Sequence, residues 1–224
     1  MDDFNKIIET ISLTMGAAWG SGINLYATIL VLGLLGMTDN IVLPQGLEIL
    51  MNPMVIGAAG LMYAVEFVAD KIPGVDTGWD TLHTFVRIPA GVLLAAGAVG
   101  DVNPAVAIAA GILGGGLSTT THAAKSGSRL LINTSPEPVS NWTASVLEDI
   151  AVISGVWAAL VHPWVFIVIL IVFILLMIWF LPKLWSGIKK FFAFIGRIFS
   201  GNKKPELNES RALNSGEKNE QSKN

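Results

Sequence analysis

The sequence has no cysteine and few charged side chains. The absence of cysteine excludes disulfides, thiolate metal sites and iron–sulfur clusters. Asp, Glu, Lys and Arg make up 14% of the 224 residues, whereas a soluble domain carries roughly a quarter. The chain begins MDDFNK, which lacks the basic segment of a signal peptide. With 52% hydrophobic residues and a mean hydropathy of +0.61, the composition indicates an integral membrane protein.

Catalytic motifs are absent as well. The sequence contains no HExxH pair, no phosphate-binding loop, no dinucleotide fingerprint and no serine-hydrolase motif. Its three histidines are scattered and, without cysteine, do not form a zinc-binding pattern. The short basic tail also carries acidic residues and shows no stacking pattern, so nucleic acid is not an expected partner. We therefore expect no enzyme activity, no metal and no cofactor.

What is present is a series of long apolar runs. They do not alternate as the strands of a membrane barrel would, so we predict helices. The six predicted membrane spans are roughly residues 10–36, 53–71, 83–100, 103–132, 142–161 and 163–182. A crossing needs about twenty residues. The first and fourth spans exceed this length, which favours a break within each.

The distribution of Lys and Arg predicts the topology. The connections 37–52, 101–103 and 161–163 contain neither residue, whereas nine follow the last span. This pattern predicts a bacterial inner-membrane protein with both termini in the cytoplasm. The pairs Asn52-Pro53 and Asn103-Pro104 each look like a helix cap followed by a proline at the first helical position.

The C-terminal region divides into two predicted segments after a transmembrane domain of residues 1–182. Residues 183–200 have aromatic and aliphatic side chains on one helical face and basic ones on another. This segment is predicted to be an amphipathic helix on the anionic inner leaflet. Residues 201–224 are polar and lack aromatics, which predicts a disordered cytoplasmic tail.

Two glycine-rich stretches interrupt apolar spans and predict an internal repeat. They read GSGINLYAT (residues 20–28) and GGGLSTTTH (residues 114–122) and align at a shift of 94. With six spans, this predicts an inverted 3+3 repeat, repeat A at about 10–100 and repeat B at about 103–182, with broken first and fourth helices. The residues predicted to line a solute path are Gly20, Gly22, Asn24, Tyr26, Thr28, Gly114, Gly116, Ser118, Thr120 and His122.

Ionisable residues inside the predicted spans form a second pattern. A charge at mid-bilayer costs roughly 2.5–3.5 kcal/mol on insertion scales, so that each needs a partner or a function. The predicted charge network comprises Glu66, Asp70, Lys125, Arg129, Glu148 and Asp149. We expect Lys125 to pair with one of these acids or with a bound anion. Asp80 and His83, at the start of the third span, are expected near the inner surface.

Three stretches resemble a known family. They are GINLYATILVLGLLG (residues 22–36), VEFVADKIPGVDTGWDTLHTFVRIPAG (residues 65–91) and AAKSGSRLLINTSPEPVSN (residues 123–141). Through them, roughly residues 10–160 resemble an uncharacterised bacterial multi-pass membrane family, catalogued only as a domain of unknown function. The resemblance implies a helical membrane protein but no activity and no site residues.

Three functional hypotheses follow from these patterns. The first is transport of a small polar or charged solute between the two broken helices, with an anion favoured, or a proton-coupled substrate using Glu66 or His122. The second is an oligomeric ion channel. The third is a non-transporting scaffold or lipid-binding protein, in which Lys125 and Arg129 hold lipid head groups. Transport requires the polar row to line a wet cavity, whereas a scaffold would bury it in helix contacts.

Overall fold

The computed structural model describes residues 2–134 and 138–199, and every regular element within them is helical. This confirms the all-α prediction. The elements are α1 (Asp2–Met37), a 3₁₀ helix (Gln45–Met51), α2 (Pro53–Ala69), α3 (Val75–Ala98), α4 (Pro104–Ile132), α5 (Pro138–Val161) and α6 (Pro163–Phe199).

Helices α2 and α4 begin at the predicted Asn-Pro pairs. The side chains of Asn52 and Asn103 each accept a hydrogen bond, 2.9 Å long, from the backbone N–H two residues further on. The proline that follows each asparagine loses no helical hydrogen bond at this position. At the other end of these helices the α2–α3 and α4–α5 connections meet, where Asn133 Nδ2 donates to Asp76 Oδ1 at 2.8 Å. We call this the opposite end of the bundle.

Helix α1 folds back on itself at Asn24. The backbone of Asn24 is not helical, with φ −145° and ψ 100°. A Cβ atom built on Gly20 would lie 2.5 Å from Thr28 Oγ1, whereas residues eight apart in a straight helix are separated by about 12 Å. The predicted break in the first helix is confirmed. Residues 25–37 return alongside residues 2–23, so the first predicted span, residues 10–36, consists of two half-helices that lie side by side.

Both ends of α1 consequently lie at one end of the bundle, which we call the N-terminal end. The Phe4 ring contacts the Trp164 ring at the start of α6, with 5.6 Å between their centroids. A cleft of about 410 Å³ joins the two ends of α1 to the C-terminal ends of α3 and α5; it is lined by Glu9, Thr10, Leu13, Asn40, Ile41, Val42, Pro44, Ala98, Ala159 and Leu160. These contacts bring the two ends of α1 together, while the side of the membrane on which each chain terminus lies stays a prediction.

Helix α4 is a single unbroken helix. All residues of Pro104–Ile132 are described and helical, so the break predicted near residues 114–118 is wrong. Its glycines instead allow close packing against α3, since a Cβ atom on Gly115 would lie 2.6 Å from Val92 Cγ2. Such contacts offset the roughly 1 kcal/mol by which glycine weakens a helix. The inverted repeat stays a prediction, without the second break that was its most specific feature.

The helices have the lengths and composition of a multi-pass membrane protein. Five described helices are long and apolar enough to cross a membrane, and a sixth span results if the 3₁₀ helix and α2, which meet at 69°, count as one. Helix α6 continues past Pro182 to Phe199. Residues 1–186 and 187–224 form separate compact units. The predicted disordered tail, residues 201–224, lies outside the described residues.

Candidate functional site

The break in α1 presents two helix ends to the bundle interior. Asn24 caps the second half of α1, because its Oδ1 accepts a bond from the Ala27 N–H at 2.9 Å. The first half ends at Ile23, whose carbonyl accepts a bond from Lys125 Nζ at 3.1 Å. Asn24 Nδ2 also donates to Asp149 Oδ1 at 3.1 Å. A cation thus meets the negative end of one half-helix, and a carboxylate lies near the positive end of the other.

Lys125 lies at the centre of a buried charge cluster and is 5% exposed. Its Nζ lies 2.8 Å from Asp70 Oδ2 and 3.3 Å from Glu66 Oε1. Asp80 and Glu148 each approach Nζ to 3.7 Å. Lys125 was predicted to pair with one of the acids Glu66, Asp70, Glu148 and Asp149 or with a bound anion, and in the structure it contacts the first three of these acids. Because carboxylates surround it, Lys125 is not an uncompensated positive charge awaiting an anion.

Two fully buried arginines also pair with acids of the cluster. Arg87 donates to Glu66 Oε1 at 2.5 Å and to Asp80 Oδ1 at 2.8 Å. Arg129 donates two parallel hydrogen bonds to Glu148, from Nε to Oε1 at 3.2 Å and from Nη2 to Oε2 at 2.7 Å. Such two-point contacts fix both the position and the orientation of the carboxylate. Four helices, α2 to α5, are therefore tied together by ion pairs.

Arg129 also ties the two connections at the opposite end of the bundle. Its Nη1 donates to the backbone carbonyls of Asp70 and Asn141, at 3.1 Å each, and to the Asn141 side chain. Asp76 Oδ2 lies 3.8 Å from the same nitrogen. These bonds attach Arg129 to the C-cap of α2 and to the first turn of α5.

Carboxylates outnumber cations in this charge cluster. It contains Glu66, Asp70, Asp76, Asp80, Glu148 and Asp149 against Arg87, Lys125 and Arg129. Four of the carboxylates have a buried oxygen with no hydrogen-bond partner: Glu66 Oε2, Asp70 Oδ1, Asp80 Oδ2 and Asp149 Oδ2. A buried net charge is costly. Among the described residues no group of three His, Asp or Glu side chains could hold a metal ion.

His122 borders the cluster as a neutral ring. Arg87 Nη1 lies 3.3 Å from its Nδ1, and an arginine can only donate, so Nδ1 accepts this bond. The ring proton is then on Nε2 and points to Thr84 Oγ1, 2.7 Å away. Nearby, Tyr26 OH and His83 Nε2 lie 3.0 Å apart. His83 is 8% exposed, so it is buried among the helices, while its place near the inner membrane surface stays a prediction.

Lys71, in the connection between α2 and α3, flanks the cluster. Its Nζ lies 3.0 Å above the Phe67 ring and donates to Ser145 Oγ at 3.4 Å. Partial burial lowers the pKa of this ammonium group, while the nearby carboxylates of Asp149 and Asp70 oppose that shift.

The two glycine-rich stretches meet, but through contacts too close to leave a cavity. Ser21 Oγ donates to Ser118 Oγ at 3.2 Å, and a methyl group on Gly22 would overlap Ser118 and Thr121. The predicted path residues buried in these helix contacts are Gly20, Gly22, Asn24, Thr28, Gly114, Ser118 and His122. Tyr26 lines a separate cleft with α2, while Gly116 and Thr120 face an apolar groove beside α6. Most of the polar row is thus packed as glycine and hydroxyl residues are between membrane helices.

A small cavity nevertheless reaches the charge cluster from the side of α6. It measures about 230 Å³, and its lining residues are Ile23, Thr121, Ala124, Lys125, Ser128, Glu148, Phe173 and Phe180. It touches the tip of the α1 hairpin, the polar face of α4 and the acidic face of α5. A water molecule takes about 30 Å³, so the cavity has room for several waters or one small polar solute.

Asp76, Asp80 and Arg87 belong to the site but were not part of the predicted charge network. They lie on one face of α3 and are fully buried. Their i, i+4 and i+11 spacing was the available signal, since it places charges on one helical face along three turns. Because Asp80 lies near the predicted start of the third span, the sequence suggested a position at the membrane surface for it instead.

Comparison with known proteins identifies the family but no activity. Searches of curated proteins and of solved structures found no match. The profile of one family, described as a domain of unknown function, matches residues 11–183, which include the α1 hairpin and all residues of the charge cluster. The chain therefore belongs to the DUF4126 family of membrane proteins of unknown function.

Proposed function

We propose that this protein transports a small polar or charged solute across the membrane, coupled to protons. The observation that carries the proposal is the excess of carboxylates, six against three cations, of which all but the partly exposed Glu148 are buried, with four unpartnered oxygens. Ionisable residues inside a membrane are costly and commonly form proton relays. A structural ion-pair cluster would be better balanced, because an unmatched buried charge lowers stability without adding contacts.

The broken helix and the cavity support the same proposal. Non-helical backbone at membrane depth is tolerated where it is buried in protein or lines a wet cavity, and Ile23 at the break lines the 230 Å³ cavity with Lys125 and Glu148. The positive face of α4 was the reason to expect an anion. Since carboxylates already neutralise Lys125 and Arg129, proton coupling is the better supported choice.

The test is proton movement driven by solute gradients. Purified protein would be reconstituted into liposomes containing a pH-sensitive dye, and gradients of amino acids, carboxylic acids and amines imposed in turn. We expect at least one class to change the internal pH saturably in the wild type and the Glu48→Gln control, and at least tenfold less in Glu148→Gln. Glu48 is an exposed acid on the 3₁₀ helix, whereas Glu148 lines the cavity.

The outcomes separate the alternatives. A flux that does not saturate and follows the membrane potential would identify an ion channel. If no class moves protons in folded protein, and no labelled solute accumulates, transport is excluded. Thermal unfolding of each variant in detergent shows whether a lost flux reflects lost structure.

Lipid binding without transport is a second candidate, favoured by the burial of the polar row in helix contacts. A groove of about 670 Å³ between α1, α4 and α6 has an almost entirely apolar lining; it comprises Met15, Ile112, Leu113, Gly116, Leu117, Thr120, Ile174, Met177, Ile178, Leu181 and Pro182. It fits an acyl chain. Lys125 and Arg129 would not hold the head group, because both are committed to carboxylates.

This second candidate has its own test. A Cβ atom on Gly116 meets no atom within 4 Å, so Gly116→Leu would fill the groove without a clash. Gly57→Leu is the matched control, because Gly57 is exposed on α2 and equally open. If lipid binding is the function, Gly116→Leu alone reduces the lipid that co-purifies with the protein, measured by native mass spectrometry. Equal lipid in both variants argues against a specific groove lipid.

A further inference from the structure

We propose that Asp149 is the residue that binds and releases the proton, an assignment that rests on the proton coupling proposed above. The geometry separates Asp149 from every other acid of the charge cluster. Each of the other five carboxylates lies within 4.0 Å of a cationic nitrogen. Within the part of the chain that the structure describes, Asp149 has no such partner.

Asp149 is buried and incompletely bonded. The residue is 6% exposed, its Oδ1 accepts one bond from Asn24 Nδ2 at 3.1 Å, and its Oδ2 has no hydrogen-bond partner. An ionised carboxylate in this setting lacks both a counter-ion and its full set of donors. A proton on Oδ2 removes the charge and leaves the bond from Asn24 to Oδ1 in place.

The charged and titratable groups around Asp149 do not replace a counter-ion. Lys125 on α4 and Lys71 in the α2–α3 connection face it at longer range, while Asp70 at the C-cap of α2 and the neighbouring Glu148 on α5 add negative charge. Tyr63 on α2 contributes a phenol group. Lys125 already contacts Asp70 and Glu66. The neighbouring α1 segment contributes the uncharged Asn24.

The two residues first considered as proton carriers are less suited. Glu66 contacts both Arg87 and Lys125, at 2.5 and 3.3 Å, so two cations already lie against this carboxylate. His122 Nδ1 accepts a bond from Arg87, so protonation there would place two cations against each other. Asp149 alone combines burial, an open oxygen and no cationic partner.

Asp149 is linked to the break in α1 through Asn24. Asn24 bonds Asp149 through its Nδ2 and caps the second half of α1 through its Oδ1. When a hydronium ion from the aqueous side gives its proton to Oδ2, an O–H bond forms, water is released, and the negative charge at this helix end disappears. The attraction between the helix end and α5 then weakens. Release of the proton restores it.

The test is infrared spectroscopy of purified protein as a function of pH, without any solute. A protonated buried carboxyl group absorbs infrared light at a frequency that is separate from the bands of ionised carboxylates. We expect one such band to appear as pH falls in the wild type and in Glu48→Gln, and to be lost in Asp149→Asn. A band that persists in Asp149→Asn, or a wild type with no protonated buried carboxyl group at any pH, overturns the assignment.

Two further measurements keep the result decisive. If Asp149→Asn does not fold, wild-type protein carrying ¹³C-labelled aspartate is measured instead, and a band that does not shift belongs to glutamate and refutes the assignment. In the liposome assay, proton-coupled flux that survives Asp149→Asn refutes the role of Asp149 but leaves the proposed transport intact. A band lost in Asp149→Asn, with no flux for any solute, supports the proton site and refutes transport.

Discussion

At the scale of single residues, Lys125 is the cation that contacts the largest number of carboxylates in the charge cluster. It contacts carboxylates from α2, α3 and α5 and the carbonyl at the break in α1. We predict that Lys125→Met lowers the free energy of unfolding by about 3–5 kcal/mol, because removal of one partner leaves buried charges uncompensated. Thermal or denaturant unfolding in detergent micelles measures this change.

The matched experiment removes one of the acids as well. Asp70 lies 2.8 Å from Lys125 Nζ, so the double variant Lys125→Met, Asp70→Asn should recover part of the lost stability. Lys6→Met, at an exposed lysine near the N-terminus, should stay within about 0.5 kcal/mol of the wild type. A Lys125→Met protein as stable as Lys6→Met would show that the cluster does not hold the bundle together.

Asn24 supports a second prediction at this scale. Asn24→Ala removes both a helix cap and a buried bond to Asp149, whereas Asn52→Ala removes only an exposed cap. We expect a loss of about 1 kcal/mol for Asn52→Ala and about 2–4 kcal/mol for Asn24→Ala, since Asp149 then loses its one donor. Equal losses in unfolding experiments would mean that the bond to Asp149 contributes nothing.

At the scale of secondary-structure elements, the central feature is that one glycine-rich helix is broken and the other is not. Both contain small residues where they touch, yet only α1 has an asparagine in position to cap a new helix. In α4 Ser118, which aligns with Asn24, donates to the carbonyl of Arg87 on α3 at 3.1 Å, and Thr119 donates to the carbonyl of Gly115, one turn back, at 2.7 Å. Hydroxyl groups can thus be satisfied inside an unbroken helix.

A pair of glycines tests this difference. Gly22 and Gly116 were equivalent in the predicted repeat, but a methyl group on Gly22 would overlap Ser118 and Thr121, while one on Gly116 meets nothing within 4 Å. We predict that Gly22→Ala lowers stability by about 1–3 kcal/mol through overpacking, and that Gly116→Ala is neutral or slightly stabilising. Unfolding curves that rank the two variants the other way would contradict the contact between α1 and α4.

At the scale of the whole molecule, the folded-back α1 changes the predicted membrane topology. With both ends of α1 at the N-terminal end, we predict that α1 does not cross the membrane, that α2 to α6 make five crossings, and that the two chain termini lie on opposite sides. The nine Lys and Arg residues after position 182 favour a cytoplasmic opposite end. The acidic N-terminus, with Lys6 as the one basic residue before α2, is then predicted to lie outside.

Cysteine labelling tests this topology without background, because the chain has no cysteine of its own. Asp3, Asp101 and Thr134 are exposed. In intact cells, Asp3→Cys and Asp101→Cys should react alike with an impermeant thiol reagent, and Thr134→Cys should react only after lysis. Labelling of Asp3→Cys together with Thr134→Cys would restore a single crossing by α1.

The sequence by itself determined the membrane class, the starts of α2 and α4 and the location of the break in α1. Asn-Pro pairs define helix starts locally, and Asn24 in a glycine-rich run provides its own cap. These features depend on residues within one turn of each other. The sequence also predicted a carboxylate or a bound anion as the partner of Lys125, since a buried lysine needs a negative charge beside it.

Only the tertiary structure decided the angle at the break, the integrity of α4 and the identity of the isolated acid. A broken helix can continue in any direction, and here Gly33 lets the returning half pack against the carbonyl of Leu50. Glycine is compatible with helix or break, so contacts with Val92 selected the helix in α4. Glu148 and Asp149 are neighbours in sequence, but Arg129 reaches only the first. Which carboxylate stays without a counter-ion depends on residues from distant helices, and a local pattern does not contain that information.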